Sequence, residues 1–168
     1  RGTLYFLANA SQVTALEALV PGATTLDDFL ALSASTSDMT EHGLLMSGRE
    51  ELGSQSASEL TVAMTRSVAR IDLESTDQSV EVLQVSIDGL ADDGYLNQQA
   101  TATHPQDAAT TRFDKQYNTP LSNARETIFY ICEQQGTDIQ AEVLVRFRNA
   151  LHKLKATLPT TIRRNTVY

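Results

Sequence analysis

The feature of the sequence that most constrains its fold is a two-residue alternation of side-chain character over positions 139–148. Its apolar members are Ile139, Ala141, Val143, Val145 and Phe147. Apart from Leu144, the residues between them are polar or charged. Because successive side chains of a strand point to opposite faces of the sheet, the alternation predicts an antiparallel strand with one buried and one solvated face.

Further strand patterns are spread along the chain. Apolar, aromatic and β-branched residues between turn formers predict strands over residues 3–9, 44–46, 80–87, 128–132 and 163–168. In the strand at 80–87, Leu83, Val85 and Ile87 share one face, and Asp88-Gly89 is expected to end it. Residues 149–158 fit either a helical turn or the second arm of a hairpin.

A longer strand pattern, over residues 60–74, changes phase in its middle. Leu60, Val62 and Met64 have one parity, and Ala69, Ile71 and Leu73 have the other. A one-residue change of phase moves every side chain to the opposite face of a sheet. We therefore expect a bulge or sharp bend between Met64 and Ala69.

Helices are predicted only in the early part of the chain, over residues 13–33. A first helical patch starts near residue 14 and ends at a Pro-Gly pair. Thr25 is expected to cap a second helix, with Asp28 at the third position. That helix would bury Leu26, Phe29 and Leu30.

The order of these elements predicts an all-β fold. No sustained strand–helix–strand rhythm occurs, so we expect antiparallel β-sandwich packing with one or two short inserted helices. A boundary near 75–79 would divide the chain into domains 1–76 and 77–168. The alternative boundary lies within 91–126, because residues 91–123 are polar and are predicted to be irregular.

The charge balance bears on the class of partner. The chain carries 21 acidic and 13 basic side chains, a net charge of −8. Nucleic-acid phosphates require a basic face, so this balance argues against a nucleic-acid partner. No apolar stretch approaches the roughly 20 residues that a transmembrane helix needs.

Residues that could carry chemistry are few. His42, His104 and His152 are isolated from one another, and glycines do not have phosphate-binding spacing, so we expect no metal and no cofactor. Asp88, Asp92 and Asp93 lie around two glycines and could bind calcium, but this composition is more typical of a turn.

The single cysteine, Cys132, follows Phe129, Tyr130 and Ile131. Such a setting predicts a buried thiol that acts as a small hydrophobic residue. No nucleophile lies beside a base in the sequence, so we expect that the protein is not an enzyme.

Several short motifs occur in an order that resembles one protein family. They are GLLMSG at 43–48, R-x-x-A-R at Arg66, Ala69 and Arg70, F-Y-x-x-E at Phe129, Tyr130 and Glu133, and R-N-x-x-Y at Arg164, Asn165 and Tyr168. In these pieces the chain resembles the fimbrillins of Bacteroidales, of the FimA and Mfa types and their anchor and tip relatives.

The resemblance implies a protein of two transthyretin-like β-sandwich domains. The first strands of domain 1–76 and the closing strands of domain 77–168 would then lie outside this sequence. It also implies export as a lipoprotein precursor, processing by a protease, and polymerisation by donor-strand exchange into a cell-surface fimbria of the outer membrane. The implied partners are neighbouring subunits, with host surface proteins or glycans as further ones.

A sandwich that lacks a strand exposes backbone hydrogen-bonding groups beside an apolar groove, and an added strand can fill it. The candidate groove or core positions are Leu4, Phe6, Leu60, Val62, Met64, Ile71 and Leu73. Each of them is equally well explained as part of an ordinary core.

Three functions are compared on this basis. The first is a structural fimbrial subunit that supports adhesion. The second is a monomeric carbohydrate- or receptor-binding module on the cell surface, which the 6% aromatic content and the absence of tryptophan make a poor platform for stacking sugars. The third is a hydrolase on a β scaffold, for which no nucleophile–base pair can be named.

Overall fold

A computed structural model describes residues 2–53, 59–136 and 138–168. The strands of the first half are β1 (Gly2–Ala8), β2 (Ser33–Ser35), β3 (Met46–Leu52), β4 (Thr65–Arg66) and β5 (Val68–Ser75). A 3₁₀ helix spans Thr14–Ala18, and the short helix α1 spans Leu26–Leu30. No helix in the described ranges has the length and apolar character to cross a membrane.

The second half of the chain contains the longest strands. They are β6 (Val80–Ala91), β7 (Asp93–Tyr95), β8 (Thr110–Leu121), β9 (Ala124–Cys132), β10 (Gln134–Gln135), β11 (Gln140–Phe147), β12 (Ala150–Thr157) and β13 (Thr161–Ile162). An antiparallel four-stranded sheet has the order β12-β11-β6-β8. The predicted alternating strand over 139–148 is therefore confirmed as β11, and residues 149–158 form the arm of a hairpin.

The four-stranded sheet packs against the antiparallel pair β5–β9, which makes the predicted all-β sandwich. The rings of Phe113 on β8 and Phe129 on β9 stack between the two layers, with centroids 4.4 Å apart. The buried members of this first core are Ala69, Ile71, Val85, Ile87, Leu90, Ile128, Ile131, Ile139 and Ile162.

A second core lies on the opposite face of the β5–β9 ladder. Its members are Val13, Ala34, Met39, Leu45, Val68, Leu96 and Cys132. Partners directly opposite each other in an antiparallel ladder share a face. Val68 pairs with Cys132 in the second core, and Ala69 pairs with Ile131 in the first. The start of β5 and the end of β9 thus form a wall between the two cores.

Several strand pairs connect the two predicted domains. The ladder of β5 and β9 joins residues 68–75 to residues 124–132, and β2 pairs with β7. Both pairs cross the boundary expected near 75–79. The division into 1–76 and 77–168 stays a prediction, as does the alternative within 91–126.

Two details of β6 differ from the prediction. The register of its pairing with β8 shifts between Val82 and Gln84, so Val82, and not Leu83, joins Val85 and Ile87 among the buried residues. The strand also continues through Asp88-Gly89 instead of ending there. Gly89 has φ +81° at a second register shift, and a Cβ there would lie 2.7 Å from the carbonyl oxygen of Asp138. Glycine alone adopts this backbone without strain.

The polar stretch 91–123 is irregular only in part, mainly over 96–109, because it also contains β7 and the twelve-residue strand β8. β8 is an edge strand of the four-stranded sheet. Only Phe113 and Tyr117 of this strand pack on the first core, so its apolar content is low. An edge strand also accepts a proline, and Pro120 lies one residue from the end of β8.

The early helices match the prediction only in part. Thr25 and Asp28 form the expected capping box of α1, in which the Thr25 side chain accepts a hydrogen bond from the Asp28 amide. No residue of α1 is buried, and Leu26 is 54% exposed. The expected burial is therefore wrong for Leu26, and Phe29 and Leu30 are only half-buried.

The strand predicted at 44–46 is displaced along the chain. β3 begins at Met46 and continues through Ser47 and Gly48, paired with β1 along its whole length. Residues 60–64 are not a strand, and they cross over Gly48, where a Cβ would lie 2.7 Å from the Ala63 carbonyl oxygen. The expected break between Met64 and Ala69 is confirmed, since β4 ends at Arg66 and β5 begins at Val68.

Truncation of a buried leucine tests the position of the second core. Leu45 is fully buried, so Leu45→Ala is expected to lower the free energy of unfolding by about 2–5 kcal/mol through lost burial and a residual cavity. The same substitution at Leu151, which is 62% exposed, should change it by no more than about 0.5 kcal/mol. Urea titration of both variants measures the difference, and equal effects would contradict the assignment of the core.

The buried thiol of Cys132 gives a second test. Burial raises the pKa of this thiol to about 12, although Thr36 contributes a hydrogen bond at 3.1 Å. Since the thiolate is the reactive form, an aromatic disulfide reagent at pH 8 should leave the folded protein unmodified. One thiol per chain should react after unfolding in guanidinium. Rapid modification of the native protein would show that this side of the second core is open.

Candidate functional site

The seven predicted groove residues do not gather at one place. Ile71 and Leu73 on β5 belong to the first core or pack against it. Leu4 on β1 is 40% exposed, and Leu60 is exposed in the segment that precedes β4. The remaining three, Phe6, Val62 and Met64, are half-buried. Their role as a strand-accepting groove stays a prediction.

The family-like motifs do converge, around a buried ion pair between Arg164 and Glu133. The Nε of Arg164 donates to Oε2 of Glu133 at 3.0 Å, and both side chains are less than 10% exposed. The backbone amide of Arg164 also donates to Oε1 of the same carboxylate. Arg164 and Glu133 are 31 residues apart in the sequence, so the R-N-x-x-Y and F-Y-x-x-E motifs meet inside the protein.

The remaining donors of the Arg164 guanidinium bind the last residue of β7 and the residue that follows it. Nη2 donates to the Tyr95 carbonyl oxygen at 2.9 Å, and Nη1 donates to the Leu96 carbonyl oxygen at 3.3 Å. Nη1 also lies 3.5 Å from Oγ of Ser47, in the GLLMSG motif. One side chain thus joins β3, the 95–96 segment and the end of β9.

The predicted strand at 163–168 is replaced by a turn followed by a short parallel pairing. Asn165 has φ +57°, and its side chain accepts a hydrogen bond from Arg66 at 3.3 Å. The chain then runs beside β5. The Tyr168 amide donates to the Arg70 carbonyl oxygen at 2.9 Å, and the Tyr168 carbonyl oxygen accepts from the Asp72 amide at 2.8 Å. Residues 166–168 therefore add a strand to the β5–β9 layer.

The arginines of the R-x-x-A-R motif have polar partners. Arg70 lies 3.0 Å from Asp72, which also accepts hydrogen bonds from Arg125 and Thr127. Burial opposes the charge of Asp72, but these hydrogen bonds and the nearby arginines hold its pKa below the usual value. Arg70 thus pairs with Asp72, and Arg66 binds Asn165.

β12 is one edge of the four-stranded sheet, opposite the edge at β8. Within the described chain, β12 pairs with β11 alone, so one side of its backbone has no strand beside it. All eight side chains of β12 are exposed, including Leu151 (62%) and Leu154 (53%). An unpaired edge of this length is a template for another strand.

One face of β12 continues the face of the four-stranded sheet that packs on the first core, but the β5–β9 layer does not cover it there. Leu154 lies opposite Val143, and His152 lies opposite Val145, so these side chains share a face. Val143 packs on the first core and Val145 is buried, whereas Leu154 and His152 are exposed. The β5–β9 layer therefore stops short of β12 and leaves an apolar strip uncovered.

Metal binding finds no support among the described residues, where no group of three or more ligand-type side chains comes together. Asp88 is bound by Arg112 at 2.7 Å across the β6–β8 ladder. Asp93 lies elsewhere, at β7, where burial and the charges of Asp92, Asp107 and Asp38 raise its pKa. Asp88 is thus separated from Asp92 and Asp93, and Asp88-Gly89 is a bulge and not a turn.

Comparison with solved structures identifies a protein of the same fold. It is a "putative cell adhesion protein" from Bacteroides eggerthii DSM 20697, with a TM-score of 0.58 and 15% sequence identity. The match covers 98% of this chain and 61% of that protein, so this chain spans less than two thirds of its neighbour. No model of a protein family matches the sequence, and no curated protein is significantly similar to it.

Neutralising one half of the buried ion pair tests its structural importance. Glu133→Gln leaves the Arg164 guanidinium buried without a counter-charge, which typically costs about 3–5 kcal/mol of unfolding free energy. The matched control is Glu81→Gln, whose partner Arg146 is exposed, and it should cost no more than about 1 kcal/mol. Urea titrations measure both values. A loss at Glu133 as small as that at Glu81 would contradict the importance of the pair.

Proposed function

We propose that this protein is a structural, non-enzymatic subunit of a bacterial cell-surface fimbria, in which neighbouring subunits join by adding strands. The observation that carries the proposal is the free edge of β12 beside an uncovered part of the core face. A strand that docks there would pair with the exposed backbone of β12. Burying an aliphatic side chain such as Leu154 would contribute about 2 kcal/mol before the cost of ordering.

The charges of β12 favour a head-to-tail contact over a two-fold dimer. Lys153 and Lys155 point to the same face, where they share the single carboxylate of Glu142 on β11 at 2.7 and 3.9 Å, and β12 itself has no acidic residue. If β12 paired with its own copy about an axis near Leu154, these lysines would lie opposite each other, which is unfavourable. A contact between two different surfaces generates open filaments when the rotation does not close. The edge therefore suits a polymer whose incoming strand is neutral or acidic.

The comparisons support the adhesion part of the proposal. The structural neighbour is described by its name as a cell adhesion protein, and it comes from a Bacteroides species. This agrees with a surface role and with the fimbrillin-like motifs, of which four meet around Arg164 and β5. The proposed partners are neighbouring subunits, with host surface proteins or glycans as secondary ones.

Substitution at the β12 edge tests the assembly mechanism. Leu154→Asp in the full-length protein, produced by the bacterium that encodes it, should reduce surface polymers at least about tenfold, because a docked strand would bury an unpaired carboxylate. Polymers are measured as a ladder on gels of unheated samples and as filaments by electron microscopy. The monomer should keep its melting temperature, since the site is exposed.

The matched control is Leu26→Asp, which places the same substitution at an equally exposed leucine on α1, outside the β12 edge. It should leave the polymers intact. An unchanged ladder in Leu154→Asp would show that β12 is not the assembly edge. A wild-type protein that is only monomeric at the surface would favour the second function, a freestanding binding module.

A further inference from the structure

A concave pocket of about 630 Å³ lies beside β1 and β3, and none of its lining residues belongs to β12. Its lining comprises Tyr5, Leu30, Ser47, Gly48, Arg49 and Thr65, together with Ala63 and residues 97–100. This volume is in the range of ligand-binding clefts. We propose that the pocket binds a saccharide that carries a carboxylate group, which is a function beyond strand-mediated assembly.

The polar groups of the pocket match those that bind sugar hydroxyls. Asn97, Gln98 and Gln99 place three consecutive side-chain amides in the lining. Asn97 and Gln99 donate to backbone carbonyl oxygens, which leaves the exposed Gln98 amide and the Oε1 of Gln99 for a ligand. Thr65 adds a hydroxyl, whereas Ser47, opposite it across β3 and β4, is buried beside Arg164. Groups that both donate and accept, such as the Gln98 amide and the Thr65 hydroxyl, suit a ligand whose hydroxyls do the same.

An aromatic ring and a guanidinium stand side by side in this pocket. Tyr5 and Arg49 are directly opposite in the β1–β3 ladder, so they share a face of the sheet. The Tyr5 ring is held edge-to-face against Phe29 of α1, with centroids 5.7 Å apart. A fixed ring with an apolar body and a polar tip can contact the C–H face of a sugar.

The charge of the lining selects for an anionic ligand. The protein carries a net charge of −8, yet no carboxylate lines the pocket. Arg49 makes no ion pair with any described residue, and the nearest acid on its face, Glu51, accepts a hydrogen bond from Thr3. A guanidinium binds a carboxylate through two parallel hydrogen bonds, which adds specificity.

The wall of the pocket is fixed before any ligand arrives. The buried Asn97 donates to the Phe29 carbonyl oxygen at 3.1 Å, and Gln99 donates to the Leu30 carbonyl oxygen at 2.9 Å. These bonds hold the last turn of α1 against the 97–99 segment. On the other side, the absence of a side chain at Gly48 lets residues 62–64 approach β3. Preformed walls reduce the ordering cost of binding.

Calorimetric titration of the purified protein tests the assignment. Two acidic probes are used, one oligosaccharide that ends in sialic acid and one that ends in glucuronic acid. The neutral probe is the first oligosaccharide without its sialic acid. An acidic saccharide should bind, and the neutral form should bind at least about tenfold more weakly. Arg49→Gln should weaken binding of the acidic saccharide by about 10- to 100-fold. Gln98→Ala, at an exposed position, should weaken acidic and neutral forms alike.

Arg146→Gln is the matched control, because it removes an exposed arginine from β11, outside the pocket, and should leave binding unchanged. Melting temperatures confirm that each variant is folded. Failure of both acidic saccharides to bind the wild type would overturn the proposal, as would equal binding of the neutral form or an unchanged affinity in Arg49→Gln. Binding of a peptide through its terminal carboxylate, without any saccharide, would assign the pocket to a protein ligand instead. None of these results depends on polymer formation.

Discussion

The buried ion pair between Arg164 and Glu133 fixes the relation between parts of the chain that are far apart in sequence. A guanidinium in the interior is stable only when its charge and its N–H groups all have partners. Here those partners are Glu133, the carbonyl oxygens of Tyr95 and Leu96, and Ser47. Satisfying Arg164 therefore positions the ends of three different segments at once.

The rest of the second core follows from this arrangement. Leu96, held through its carbonyl oxygen by Arg164 and by the Ser67 hydroxyl at 3.0 Å, places its side chain among the buried residues. The same segment continues into residues 97–100, which form one wall of the pocket. After Arg164 the chain turns at Asn165 and joins β5. The buried Arg164 is thus connected to the pocket through the segment at Leu96. It is also connected, through Asn165, to residues 166–168, which pair with β5.

The two proposed functions lie on different parts of the molecule and use different physics. At β12, unpaired backbone groups and an uncovered apolar strip favour an extended protein segment. At the pocket, convergent amides, one ring and one unpaired guanidinium favour a small polar ligand. A surface subunit that joins its neighbours through one edge can therefore keep its pocket accessible. The low aromatic content of the whole chain does not oppose saccharide binding in the pocket, because the proposed site requires only the Tyr5 ring.

The sequence by itself determined the secondary structure wherever side-chain periodicity reports burial directly. The alternation at 139–148, the strand at 3–9 and the capping box at Thr25 were all predictable, because each depends on neighbouring residues only. Tertiary structure decided the rest. A register shift made Val82 the buried residue in place of Leu83. Sheet pairing made a strand of residues 110–121, whose polar sequence gives no periodic apolar pattern. The meeting of Glu133 with Arg164, the uncovered edge at β12 and the pocket beside Arg49 join residues that are distant in sequence, and only the folded chain brings them together.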